Sequence, residues 1–252
     1  MLSSCLIAFA MYSKIPMPRV EWSEENMRYV LCFFPWVGTP AGLLTLLVYF
    51  LTQRAGFGSL FSAALLTAVP VFVTGGIHMD GFMDTMDARS SWGDRERKLE
   101  ILKDSHTGAF AILGCAVYLL LQAGAWSEIT QETVAVAACI FFYSRCLSGL
   151  GIAVFPCARD SGLARTFHDA AQRRTVCRVL LLETVLVAAL LLWMDGLLGG
   201  AVILTGLLIF GYYRWFSLRE FGGITGDLAG YFLQLCELAQ LLVLAVLPKL
   251  LI

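Results

Sequence analysis

Charge is scarce in this 252-residue chain: Asp, Glu, Lys and Arg make up 15%, against 58% apolar residues and a mean hydropathy of +0.75. Soluble domains carry about 25% charged residues. A water-soluble globule and a disordered chain are therefore excluded, and an all-α polytopic membrane protein is expected. A cationic surplus is missing too, with 18 Lys and Arg against 19 Asp and Glu, so no nucleic-acid partner is expected. None of the eight cysteines belongs to a C-x-x-C pair; most read as small buried apolar side chains, and a disulfide-stapled module is excluded. Internal repeats, low-complexity tracts and linkers are lacking, so residues 1–252 read as a single integral membrane domain. Met1 to Tyr12 is apolar but too short to cross a bilayer, and it has neither the basic start nor the cleavage site of a signal peptide. An N-terminal interfacial helix, ended by Pro16 and Pro18, is expected there.

What the chain does have is long apolar runs. A span needs about 20 mostly apolar residues, and seven segments qualify, near 29–52, 59–77, 107–126, 133–156, 179–194, 196–213 and 228–248. Only Asp195 separates the fifth from the sixth, which are either a tight hairpin or one broken segment. Basic residues beside a span tend to remain cytoplasmic. Arg54 and Lys249 fall on one side and Arg145 inside a span, while every other Lys and Arg falls on the opposite side. The N-terminus and all sizeable polar loops are thus expected in the cytoplasm, with the C-terminus outside.

The most informative loop follows the second span: Thr74-Gly-Gly-Ile-His-Met-Asp80-Gly-Phe-Met-Asp84-Thr-Met-Asp87. On a helix, Asp80, Asp84 and Asp87 fall within an arc of roughly 60°. Three carboxylates on one face repel one another unless a cation neutralises them, and hard ions such as Mg²⁺ prefer carboxylate oxygens. A solvated acidic loop is the alternative, but it requires neither that spacing nor Gly75, Gly76 and Gly81. His78 reads as a ligand, a phosphate donor or a structural hydrogen-bonder. Farther on, Lys103-Asp104-Ser105 groups side chains of phosphate-binding and metal-binding type. Between Asp94 and Lys103, the pairs Asp94 with Lys98 and Glu100 with Lys103 have helical pairing distances.

Arg145 lies within an apolar run at a cost of about 3 kcal/mol, so it should face the bundle interior and a partner or aqueous cavity, with snorkelling as the alternative. Glu183 and Glu237 are similar, without an evident partner. Arg159, in a turn-like setting beside Asp160 and Gly162, is the better anion-binding candidate of the second basic loop. Gly222-Gly223-Ile-Thr225-Gly226-Asp227 is either a phosphate cradle with a further metal ligand or a plain interhelical turn.

Together these segments resemble the cobalamin synthase family, adenosylcobinamide-GDP ribazoletransferases. The likeness runs through Ile15-Pro16-Met17-Pro18, Phe34-Pro35 with Val37-Gly38, the acidic motif Thr74 to Asp87, Leu99 to Ser105 with Gly108, Ala158-Arg159 with Gly162-Leu163, and Gly222 to Asp227. One departure is Ala88, where the family usually has Gly; a methyl suits a helix but restricts a tight turn. The resemblance implies Mg²⁺ dependence, the bacterial cytoplasmic membrane, and attack of an α-ribazole hydroxyl, or that of its 5′-phosphate, on adenosylcobinamide-GDP with GMP leaving. Asp80, Asp84 and Asp87 would then hold metal on the diphosphate, and Lys103, Arg145 and Arg159 would pair with phosphate oxygens. Asp104 would be general base or a further ligand, and His78, Ser105, Gly223 and Asp227 would complete the substrate site. Partners are the two substrates and the bilayer, with a homo-oligomer left open. A CDP-alcohol phosphotransferase making phospholipid is the nearest alternative, but D-x-x-D-G-x-x-A-R followed by G-x-x-x-D-x-x-x-D is missing in that order. A transporter is less favoured, because the carboxylates gather at one membrane edge instead of the midplane.

Overall fold

Inside a bilayer, a backbone must satisfy its own polar groups, which leaves long apolar segments only the helix or the closed barrel. The computed structural model describes residues 1–104, 106–160 and 162–251, the side chains of 163, 164, 168 and 170 excepted. Its helices are α1 (Leu2–Tyr12), α2 (Glu24–Met27), α3 (Val30–Arg54), α4 (Ser59–Thr74), α5 (Ile77–Ser90) and α6 (Arg95–Ile101), then α7 (Ala109–Ser127), α8 (Val134–Val154), α9 (Leu163–Ala170), α10 (Arg173–Met194), α11 (Gly196–Phe221) and α12 (Gly226–Leu250). No strand occurs among the described residues, only an isolated bridge between Cys157 and Ile224. The chain is a multi-pass membrane protein: α3, α7, α8, α10, α11 and α12 are each long and apolar enough to cross. The second expected span, 59–77, is instead part of a bent pair, α4 and α5, meeting at 97°.

That bend has a local cause. Gly75 and Gly76 have φ of 65° and 80°, the left-handed region that a side chain disfavours. α4 therefore ends at Thr74, and α5 leaves in a new direction carrying the whole acidic motif. Ala88 lies fully buried within α5, where the backbone is helical and a methyl is tolerated.

α8 is the centre of the bundle, with 78% of its apolar stretch buried, against 22% for α10 and 28% for α7 and α11, which turn mostly outward. Arg145 sits on α8 and is almost fully buried. Its Nη1 donates to Glu237 Oε1 of α12 at 2.8 Å, and Ser144 Oγ donates to the same oxygen at 2.9 Å. Glu183 accepts from Trp36 Nε1 at 2.8 Å. Both intramembrane carboxylates thus have partners that the sequence did not reveal.

Asp195 resolves the ambiguity between the fifth and sixth runs. Its Oδ1 accepts from the amides of Leu197 and Leu198 at 2.9 and 2.8 Å, capping α11, and the two runs form a tight hairpin. In the charged connector the expected pairs give way to others. Asp94 caps α6 by accepting from Arg97 N at 2.9 Å, Lys98 reaches Glu220 of α11 at 2.5 Å, and Glu100 pairs with Arg97 at 3.0 Å. A cap position offers Asp94 an amide where a mid-helix site would have offered an ammonium. α1 does more than rest at an interface: Ile7 and Ala8 are buried, and the Tyr12 ring meets Phe34 of α3 at 4.4 Å.

Candidate active site at the crossing of α5 and α12

α5 and α12 cross backbone to backbone because glycine stands on both sides. A Cβ on Gly81 would lie 2.8 Å from the Asp227 carbonyl oxygen, and one on Gly230 would lie 2.9 Å from that of His78. This contact brings Asp80, in the first turn of α5, to Asp227, in the first turn of α12. Between them opens a cavity of about 270 Å³, with Asp80, His78 and Asp227 on its wall beside Tyr12, Phe34 and Ser148. Asp84 lies within the electrostatic reach of Asp80, Asp227 and Asp87. Thr225 sets the start of α12: its Oγ1 accepts from Leu228 N and donates to Asp227 Oδ2, each at 3.2 Å.

Two loops close one side of this site. Ala158 N donates to Ile224 O at 2.9 Å and Ile224 N to Pro156 O at 2.8 Å, so the Arg159 loop and the glycine-rich turn are zipped together. Gly223 permits this, since a Cβ there would lie 2.5 Å from the Pro156 carbonyl oxygen. Its place is thus at the junction of the loops. Arg159 follows directly, its Nη2 bonded to the Leu99 carbonyl and its Nε buried without a partner. Burial pushes the guanidinium below its ordinary range, while the charge of Asp227 acts in the opposite sense.

The remaining candidates divide. His78 is buried, stacked against Tyr12 at 6.1 Å, with Nε2 unpartnered. Asp87 lies on the α5 face as expected but has a second occupation: Oδ2 accepts from Gly108 N at 2.6 Å and Oδ1 from Ala111 N at 2.8 Å, so it caps α7. Lys103 and Asp104 are exposed on the connector after α6. Asp104 accepts from the amide of His106 at 3.0 Å and meets its Nδ1 at 2.7 Å. Those bonds, the amide first, hold its carboxyl below the usual carboxylate range, and a depressed pKa weakens a proton acceptor. Ser105 lies outside the described residues. Arg145 has its charge engaged by Glu237.

Among the described residues no three His, Cys, Asp or Glu side chains form a ready-made metal cage. The donor set nevertheless suits Mg²⁺, which keeps several waters and takes only one or two carboxylates together with substrate phosphates. Asp80 and Asp227 supply such oxygens on the cavity wall, with Asp84 beside them. Sequence reasoning missed Tyr12 and Ser148 as lining residues and Glu237 as the partner of Arg145. Only that last pairing left a signal, two opposite charges in separate apolar runs.

Residues 4–245 match the family described as cobalamin-5-phosphate synthase. An adenosylcobinamide-GDP ribazoletransferase of Lachnoclostridium phytofermentans is 46% identical over 237 residues, covering 94% of this chain and 91% of its own. Proteins of the same name from Desulfitobacterium hafniense and Pseudomonas syringae are 36% and 35% identical. The first of these matches covers 94% of both chains, the second 89% of this chain and 91% of the relative. No solved structure matches.

Proposed function

This chain belongs to the cobalamin-5-phosphate synthase family, and from that premise we propose that it joins adenosylcobinamide-GDP to α-ribazole or its 5′-phosphate. The products are adenosylcobalamin, or its 5′-phosphate, and GMP. The observation that carries this reading is the meeting of Asp80 and Asp227 at one cavity, with Asp84 and Arg159 within reach of their charges. Phosphoryl transfer needs cationic neutralisation of a diphosphate and a fixed position for the attacking hydroxyl.

Mg²⁺ is the proposed cofactor, with Asp80, Asp84 and Asp227 as the residues that would hold it. When bound, it supplies positive charge that polarises phosphorus and stabilises the departing GMP oxygen. Arg159 pairs with phosphate oxygens from the loop side. Lys103 meets a phosphate oxygen from the exposed connector, where the lowered carboxyl of Asp104 suits a ligand role better than that of acceptor of the hydroxyl proton. The site is proposed to face the cytoplasm across a bacterial inner membrane, supported by the Lys and Arg bias. Lys249 pairs with Glu128 at the far ends of α12 and α7, away from the acidic crossing.

The phospholipid-forming alternative is not favoured, and incubation with CDP-diacylglycerol discriminates it. The main test uses detergent-purified protein with adenosylcobinamide-GDP and α-ribazole, followed for GMP. Release that requires Mg²⁺ and stops in EDTA supports the reading; no release at any Mg²⁺ concentration overturns it.

A further inference from the structure

We propose that the N-terminal turn of α5, with Lys14 and His78, binds a phosphate group of a substrate; this rests on the transferase reading above. The cavity wall carries the carboxylates of Asp80 and Asp227, which alone would repel a phosphate. Three positive or donor features of the chain oppose that repulsion, two on the cavity wall and one, the exposed Lys14, at the bend between α4 and α5.

The first is the helix start. Gly76 offers α5 no side-chain cap. Asp80 is the first residue of α5 whose amide donates back, to Gly76 O at 2.9 Å. The amides of Ile77, His78 and Met79 remain open, as at any helix N-terminus, and such an end favours a phosphate. Ile77 and His78 line the cavity.

The second is His78 itself. It is 5% exposed and its Nε2 has no hydrogen-bond partner. A buried polar atom without a partner calls for an explanation. With its proton on Nε2, the ring donates to a phosphate oxygen.

The third is Lys14. Its amide donates to Val73 O at 2.8 Å, fixing it at the bend between α4 and α5. Its stem lies across Gly75, where any Cβ would run into Cγ, Cδ and Cε. The ammonium, one bond past Cε, forms no ion pair among the described residues. Tyr12, two positions earlier, lines the cavity, while Lys14 itself is exposed at the bend.

Two phosphates have the required chemistry, the diphosphate of adenosylcobinamide-GDP and the 5′-phosphate of α-ribazole phosphate. The test measures equilibrium binding of labelled pyrophosphate, in Mg²⁺, to the full-length protein and to Lys14→Met, Lys14→Arg and His78→Phe. Lys14→Met keeps the stem over Gly75 and deletes the charge. Its Kd should rise about tenfold, that of His78→Phe about threefold, and Lys14→Arg should remain near wild type. Wild-type binding by Lys14→Met, or equal loss in Lys14→Met and Lys14→Arg, overturns the proposal.

Turnover of Lys14→Met then separates the sources. A raised KM for adenosylcobinamide-GDP assigns the diphosphate. A KM raised for α-ribazole 5′-phosphate but unchanged for α-ribazole assigns the monoester. Lys14-dependent pyrophosphate binding by a wild-type protein that releases no GMP would retain the site and remove the transferase reading.

Discussion

Glu237 and Asp227 lie ten residues apart on α12, about 15 Å along the helix, and their charges are handled in opposite ways. Glu237 is met by Arg145 and Ser144, each within 2.9 Å, so its charge is matched inside the bundle. At Asp227 the neighbouring charges include Asp80 and Asp84 as well as Arg159. Like charges outnumber the cation there, and the balance must come from outside the chain. Buried charge alone therefore does not mark a site in this protein. The mark is charge that its neighbours leave unmatched, here on carboxylates that are exposed at Asp80 and half-buried at Asp84 and Asp227.

The most severe way to probe this contrast is Asp84→Asn, which removes one of the unmatched charges. Turnover should fall at least about a hundredfold, while insertion and melting temperature hold; GMP release at a near-normal rate would exclude Asp84 from the site. Glu237→Leu should act in the other currency, lowering stability by about 3 kcal/mol or more because Arg145 is left buried without its carboxylate. Melting in detergent measures this. The double change Arg145→Met with Glu237→Leu should recover the stability and keep turnover. A stable but inactive double variant would give Arg145 a direct part in substrate binding and break the contrast.

Gly81→Ala pushes α5 away from α12, since its Cβ would come within 2.8 Å of Asp227 backbone. A loss of about 1–3 kcal/mol is expected, with turnover reduced as Asp80 and Asp227 separate. Asp87→Ala should have the smallest effect, about 1 kcal/mol for the lost α7 cap. If its turnover instead falls as far as that of Asp84→Asn, Asp87 holds metal as well as capping the helix.

Much of this was legible from the residues in order. The apolar runs announced the helices, because a bilayer admits little else, and the spacing of Asp80, Asp84 and Asp87 announced one helical face. Gly75 and Gly76 marked a break without giving its angle. The division of labour on that face was hidden: Asp87 caps α7 through amides at Gly108 and Ala111, more than twenty residues away. Lys98 likewise chose Glu220 over its helical neighbour Asp94, because α11 brings a carboxylate to it. Lys14 carried no signal beyond its place before Pro16.

Composition and periodicity depend on how each segment meets lipid or water, and those are local properties, so the order of residues alone determined the all-α membrane architecture and the acidic helix. Which charges meet depends on how helices cross. Gly81 and Gly230 show why only the tertiary structure could decide it: a missing side chain permits a close approach, but its partner is chosen by the packing of the whole bundle.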